Sequence, residues 1–279
     1  MKKIKGNELE FTKMSGAGND FIVIDNFAGK VKLSKKEITA LCTPRFAIGA
    51  DGVLLLERPT KKTYDFTMTY YNADGSKADM CGNGARCISR FAFLHGYAKQ
   101  ELSFLAGDGG HCARVEKNGM VKLSMSEPYD IKLNMTIKIN GKAYKGAYIN
   151  TGVPHFVVEV KELATIKVNT LGRSLRFHKD FGAKGTNVNF VEKKNGVWHI
   201  RTYERGVEGE TLACGTGAVA AGFVINMTKK DKSPVVIKAR GGVLKIYFKN
   251  TAGKINNVFL EGNARIIAEG VIKPEAYKF

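Results

Sequence analysis

The sequence predicts an α+β protein of two pseudosymmetric halves, each a curved, mainly antiparallel sheet around a central helix. Three observations carry that prediction. The pentapeptide Cys-Gly-X-Gly-Ala occurs twice, as Cys81-Gly82-Asn83-Gly84-Ala85 and as Cys214-Gly215-Thr216-Gly217-Ala218, each time opening a stretch of small and apolar residues. A similar pair precedes each copy at nearly the same distance, Tyr71 standing 10 residues before Cys81 and Tyr203 standing 11 before Cys214. Between glycine-containing turns the chain is mostly short apolar runs with few stretches of helical period.

The elements follow in order. Glu10 to Met14 reads as a strand, Ser15-Gly16-Ala17-Gly18-Asn19-Asp20 as a turn and Phe21 to Ile24 as a second strand. Ser34 with Glu37 three residues on forms a capping box, so a helix is expected from Ser34 to Cys42. Gly52 to Glu57 and Tyr64 to Asn72 are strands, the second alternating through Phe66, Met68 and Tyr70. The helix after Cys81 carries Ala85, Ile88, Phe91, Ala92 and His95 at steps of three and four before Gly96 ends it. Short strands return from Leu102 to Met125, punctuated by Gly107-Asp108-Gly109-Gly110 and the hairpin signal Asn118-Gly119. Ser126-Glu127-Pro128-Tyr129 reads as a boundary, after which Tyr148 to Gly152 before Phe156-Val157-Val158 repeats the opening hairpin. Val235 to Ile267 is strand-like with a turn at Arg240-Gly241-Gly242. The expected division is 1–125 and 126–264, with 265–279 a terminal segment able to return to the N-terminal half.

A chain of 279 residues, 44% hydrophobic, has enough apolar content for one large domain or two of ordinary size. No apolar run approaches the roughly 20 residues of a spanning helix, and the N-terminus lacks the pattern of a signal peptide, so a soluble cytoplasmic protein without a membrane partner is expected. The five cysteines, Cys42, Cys81, Cys87, Cys112 and Cys214, are odd in number and irregular in spacing, which fits a reducing compartment rather than a disulfide framework. Cys42, Cys87 and Cys112 read as small core residues. No metal is expected, because no Cys-X-X-Cys or paired histidines accompany them. The formal charge of +18 raises nucleic acid as a partner, but the lysines are scattered in pairs such as Lys35-Lys36 and Lys229-Lys230, with no basic helix and no interleaved aromatics. A solvated lysine surface is the better reading, and no nucleic-acid partner is expected. Gly16-Ala17-Gly18-Asn19-Asp20 lacks the third glycine of a dinucleotide loop.

Chemistry concentrates at the two pentapeptides. A cysteine at a helix N-terminus has its thiolate favoured by unsatisfied backbone N–H groups and the positive end of the helix dipole. The glycines let backbone approach a ligand, and the exposed N–H groups can hold a carboxylate. Two such units supply two acid/base sulfurs and two anion-binding helix ends.

Lys13-Met14-Ser15-Gly16-Ala17-Gly18-Asn19-Asp20-Phe21, Asn72-Ala73-Asp74-Gly75-Ser76, Met80 to Cys87 and Glu204 to Gly217 together resemble the diaminopimelate epimerase family, in the family's order over essentially the whole chain. The resemblance implies two pseudosymmetric halves with the active site in the cleft between them. It implies inversion at one α-carbon of the small-molecule substrate diaminopimelate, LL to meso, without a cofactor, by a homodimeric enzyme. Cys81 and Cys214 match the family's catalytic thiols, with His155 and Glu204 the other catalytic positions. Asn19, Asn72, Asn187, Glu204 and Arg205 match its substrate contacts, with the backbone of Gly82, Asn83, Gly215 and Thr216 facing the α-carboxylate. Arg205 is expected to fork onto the distal carboxylate. Two positions depart from the pattern: Val153 stands where many members have asparagine, and Gly52 where some have glutamine. Rival readings are a two-cysteine racemase acting on proline, hydroxyproline or histidine and, more remotely, a basic nucleic-acid-binding protein. His95, His111, His178 and His199 read as structural or surface residues.

Overall fold

The computed structural model describes residues 8–251 and 254–278. The chain divides into two compact units, one running through Leu123 and resuming at Asn263, the other Ser124–Gly262.

The first unit contains β1 (Leu9–Gly16), β2 (Asn19–Asn26), α1 (Lys35–Cys42), β3 (Gly52–Glu57), β4 (Phe66–Asn72), β5 (Lys77–Ala78), α2 (Gly82–Leu94), β6 (Glu101–Ala106), β7 (Gly109–Val115) and β8 (Val121–Ser124). The second contains β9 (Tyr129–Ile139), β10 (Lys142–Asn150), β11 (Pro154–Glu159), α3 (Val168–Arg176), β12 (Asn187–Lys194), β13 (Val197–Glu204), β14 (Gly209–Thr211), α4 (Gly215–Lys229), β15 (Val235–Ala239), β16 (Gly242–Thr251) and β17 (Lys254–Gly262). The chain ends with β18 (Arg265–Ile272), which pairs antiparallel with β1 of the first unit.

Strand pairing repeats with the same signs. In the first unit β1–β2, β3–β4, β6–β7 and β7–β8 are antiparallel, while β2–β3 and β4–β6 are parallel. In the second, β10–β11, β12–β13, β15–β16 and β16–β17 are antiparallel, and β11–β12 and β13–β15 parallel. Beside β10 lies β9, antiparallel, in the place that β18 takes beside β1. The outer strand thus precedes its repeat in one unit and follows both repeats in the other, an arrangement that no local pattern encodes.

Each sheet is covered on both faces, so its central strands lose the alternation of a half-buried sheet. Phe21–Ile24 and Gly52–Leu56 are buried without interruption. Ile22, Ile24, Val53 and Leu55 pack with Ile38, Leu41 and Cys42 of α1, while Phe21 and Leu54 turn the other way, onto Gly84 of α2. In the second unit α3 packs Val168 and Leu175 on Phe156, Val158, Val188 and Phe190. Both central helices are enclosed. Gly217–Ile225 of α4 are all buried, as are Asn83–Ser89 of α2, the signature of a helix with no solvent face.

Local sequence explains the starts and stops. Ser34 Oγ accepts from the Glu37 N–H at 3.3 Å while Glu37 Oε2 accepts from the Ser34 N–H at 2.7 Å, completing the expected capping box. The first hairpin turns more tightly than expected: only Ala17 (φ 53°) and Gly18 (φ 87°) lie outside the strands, both left-handed, as a two-residue primed turn demands. Alanine is costly there, and its N–H is held by Asn263 Oδ1 at 2.7 Å.

Two features are weakly marked in the sequence. Helix α3 is obscured by Asn169, Thr170 and Gly172, weak helix formers; the glycine is required because a Cβ would lie 2.5 Å from the Tyr203 side chain. The β9–β10 hairpin turns at Asn140-Gly141, but its strands are largely solvent-exposed and carry little apolar pattern. Cys112 corrects an expectation. It is exposed, because β7 turns Ala113 and Val115 inward and Cys112 and Arg114 outward.

Candidate active site

Cys81 and Cys214 are the N-cap residues of α2 and α4, with extended backbone (φ −137° and −109°). Neither side chain caps its own helix. The first intrahelical bonds run from the Ala85 N–H to the Cys81 carbonyl at 2.7 Å and from the Ala218 N–H to the Cys214 carbonyl at 2.9 Å. The N–H groups of Gly82, Asn83, Gly215 and Thr216 precede these first intrahelical donors, in the first turn where helix backbone donors face outward. By contrast, burial pushes the Cys42 thiol up to about 11 and the Cys87 thiol up to about 12, which makes both inert.

In the first unit Cys81 Sγ donates to Asn19 Oδ1 at 3.5 Å, Asn19 being the first residue of β2. Asn83 is buried, and its Oδ1 accepts from Arg86 Nη2 at 2.7 Å. Asn72 ends β4 and turns its amide Nδ2 to Ser76 Oγ at 3.0 Å. A glutamine cannot be placed at Gly52: a Cβ there would lie 2.4 Å from the Tyr71 carbonyl oxygen and 2.7 Å from the Tyr70 ring.

In the second unit Cys214 Sγ lies 3.5 Å from Thr216 Oγ1. Glu204 ends β13, and burial raises its carboxyl above the usual range, opposed in part by hydrogen bonds that include one from Cys214. Asn187 ties the neighbouring loop, its Oδ1 accepting the Arg205 N–H at 2.8 Å and its Nδ2 donating to the Pro154 carbonyl at 2.9 Å. Glu208 holds the same loop: its Oε1 accepts from the Gly206 N–H at 3.0 Å and from Arg176 Nη2 at 3.0 Å, and its Oε2 from the Tyr203 hydroxyl at 3.2 Å. Despite desolvation, these donors keep the Glu208 carboxyl below its ordinary value.

Register exposes an asymmetry beneath the two helices. Phe21 pairs with Gly52, and Leu54 with Tyr70; at the matching positions His155 pairs with Asn187, and Asn189 with Thr202. An apolar layer in one unit is thus polar in the other. The Thr202 hydroxyl donates to Asn189 Oδ1 at 2.9 Å, and Asn189 Nδ2 faces His155 Nδ1 at 3.1 Å, which leaves the ring proton on Nε2. Against this layer Gly217 is compulsory, since a Cβ would come 2.3 Å from Asn189 Oδ1. The available signal was Asn189, a polar residue inside the run Val188 to Val191.

His155 is fully buried, and burial, reinforced by the charge of Arg205, lowers its pKa to about 3. The folded chain then holds His155 neutral where the unfolded chain protonates near 6.5. Its contribution is complete above about pH 6.5 and drains as pH falls toward 3, by about 1.4 kcal/mol per unit. In urea titrations between pH 7.5 and 5, His155→Asn is expected to flatten the loss of stability by about 2 kcal/mol at pH 5. An unchanged slope would refute this.

The remaining histidines lie elsewhere. His95 caps α2 and stacks on Phe91, His111 pairs with Asp108 at 2.8 Å, His178 accepts from the Asp180 N–H, and His199 sits in β13. Grooves of about 420 Å³ line each unit at the far ends of the central helices, one at Val224, Thr228 and Lys229 and one at Phe91 and His95, away from the cysteine caps. Among the described residues no group of three or more His, Cys, Asp or Glu could hold a metal ion, and no helix is long and apolar enough to cross a membrane.

Comparison with known proteins places this arrangement. The family profile described as diaminopimelate epimerase matches residues 11–130 and 147–267. The chain is 41% identical over 280 residues to the diaminopimelate epimerase of Hydrogenobaculum sp. (strain Y04AAS1), covering 95% of this chain and 99% of that protein. Among solved structures it resembles a Bacillus anthracis phenazine biosynthesis protein of the PhzF family, at TM-score 0.74 and 15% identity, covering 96% of this chain and 100% of that one. It also resembles a hydroxyproline epimerase from Agrobacterium vitis with bound trans-4-OH-L-proline, at TM-score 0.68 and 15% identity over 99% and 96% of the chains. At that identity the two structures establish the fold alone. Matched along most of its length by the family profile and along nearly all of it by a close relative, the chain belongs to the diaminopimelate epimerase family.

Proposed function

We propose that this protein converts LL-2,6-diaminopimelate to meso-2,6-diaminopimelate, supplying lysine and peptidoglycan precursors, with Cys81 and Cys214 forming the thiolate/thiol pair of a two-base reaction in which the bound enantiomer sets which sulfur is deprotonated. The observation that carries the reading is a cysteine at the N-cap of each unit's central helix in a chain of this family. One sulfur removes the α-proton from one face of the carbon, and the other returns a proton from the opposite face. A thiolate is a weak base for such a proton, so the developing carbanion must be stabilised strongly. The first-turn N–H groups of Gly82, Asn83, Gly215 and Thr216 suit the α-carboxylate, where that charge accumulates.

Glu204 takes the α-ammonium and stands beside Cys214 as a catalytic group, and Arg205 forks onto the distal carboxylate. Asn19, Asn72 and Asn187 contribute amide contacts, with His155 supporting catalysis from beneath α4. Two proton transfers need no cofactor. The reading further takes the enzyme as a cytoplasmic homodimer without nucleic-acid or membrane partners.

The test is turnover in D2O. Incubation with LL-diaminopimelate is expected to yield the meso form carrying one solvent deuterium at the inverted carbon, while early recovered substrate stays unlabelled. Turnover of proline, hydroxyproline or histidine with none of diaminopimelate would overturn the assignment. Salt-dependent RNA or DNA binding retained after both cysteines become alanine would favour the nucleic-acid rival.

A further inference from the structure

One carboxylate beside Cys81 has no part in the chemistry above. Asp51, in the loop before β3, is joined to β2 by reciprocal contacts: its N–H donates to Asp20 Oδ1 and its Oδ2 accepts the Asp20 N–H, each at 3.1 Å. The same Oδ2 accepts from Asn19 Nδ2. Lys13 Nζ closes the cluster, 2.6 Å from Asp20 Oδ2 and bonded to the Gly49 carbonyl. A carboxylate has no proton to give, so the Asn19 amide has a single orientation against it, nitrogen toward Asp51 and oxygen away. That oxygen is the one 3.5 Å from Cys81 Sγ, where it accepts from the thiol.

Among the described residues the second unit has no such cluster. Its residues at the register positions of Lys13, Asp20 and Asp51 are Tyr148, Pro154 and Thr186. The hydroxyl that lies beside Cys214 can rotate to donate or to accept.

We propose that Asp51 is a positioning residue that locks the Asn19 carbonyl oxygen onto Cys81 Sγ, so that Cys81 keeps its proton in the unliganded protein. A hydrogen bond accepted from the neutral thiol stabilises the protonated form and opposes ionisation. The catalytic meaning of this lock rests on the two-thiol reading above; its existence does not. Arg86 and Cys87 of α2 interact electrostatically with Cys81, Arg90 and Asp20 act on Cys87, and Lys13 and Asp20 belong to the cluster that holds Asp51. Arg86 pulls toward the thiolate. It is fully buried and, among the described residues, donates to oxygens of neutral groups, Gly82 O at 3.2 Å, Asn83 Oδ1 at 2.7 Å and Asn263 O at 3.3 Å. The lock therefore sets a proton-retaining contact against a buried cation.

The test is the pH dependence of iodoacetamide alkylation, read separately at each cysteine by peptide mass spectrometry. Cys42 and Cys87, both buried, stay unmodified while the fold is intact and so report on it. Asp51→Ala releases the amide to turn its nitrogen to the sulfur. The Cys81 midpoint is expected to fall by about half to one pH unit, an alkylation rate at pH 7 about three- to tenfold higher, with Cys214 unmoved. Asn19→Ala, which deletes the acceptor, is expected to give the same fall. Asp51→Asn keeps an oxygen for Asn19 and for the Asp20 N–H and should behave as wild type.

Equal shifts in Asp51→Ala and Asp51→Asn would overturn the proposal in favour of a simple charge effect. An unmoved Cys81 midpoint in Asn19→Ala would overturn it outright. Should Asp51→Ala expose Cys42 or Cys87, the other two variants decide the matter. A protein that fails to epimerise diaminopimelate would sink the proposed function and leave the alkylation result standing.

Discussion

Cys81→Ser and Cys214→Ser are each expected to lower kcat for diaminopimelate epimerisation by on the order of 10² to 10⁴-fold, with little change in stability. A serine hydroxyl occupies nearly the same N-cap position and leaves the first-turn N–H groups unchanged. The deficit then belongs to the sulfur. At neutral pH a thiol ionises to some extent and a serine hydroxyl essentially does not, so the variant lacks the base needed in one direction and a matched acid in the other. The double variant should be no worse than the poorer single one, because the two groups act as a unit and a missing member removes the whole path. Turnover within tenfold of wild type in either single variant would contradict the two-base scheme.

Arg205→Gln is expected to reduce kcat/KM for diaminopimelate by about 10²-fold or more while leaving the fold intact. A forked guanidinium supplies two parallel charge-assisted bonds to a carboxylate, and the amide that replaces it supplies neither the charge nor the second donor. The loop geometry should survive, because Asn187 holds the backbone of residue 205 and Glu208 holds that of Gly206, neither through the Arg205 side chain. Loss concentrated in KM would mark an interaction present in ground and transition states alike; loss in kcat would mark one used to align the α-carbon. Measured kcat/KM within threefold of wild type would remove Arg205 from the substrate's distal end.

Much of the fold is legible in the chain because its cues are local. The capping box at Ser34 and Glu37, the glycine that ends α2 and the Arg240-Gly241 turn each depend on residues within a few positions of one another, and each forms as the residues require. Helix α3 and the β9–β10 hairpin are not legible locally for the converse reason. Gly172 is explained only by Tyr203, some thirty residues away, and an exposed hairpin carries little apolar pattern. The face of Cys112 is not fixed locally, because it depends on the phase of β7, which the neighbouring strands set.

At the candidate site the division is similar. The repeated pentapeptide alone determined that two cysteines would open two helices, since a cap, small residues and an apolar run are consecutive in the chain. Only the tertiary structure decided how the two differ. Asp51 meets Asn19 across two strands, Glu208 in the loop between β13 and β14 meets Arg176 at the end of α3, and Asn189 meets His155 and Thr202 through strand register. Hydrogen bonds act over about 3 Å while these partners are separated by 13 to 34 residues, so the pairing exists only once the sheets have brought the strands together.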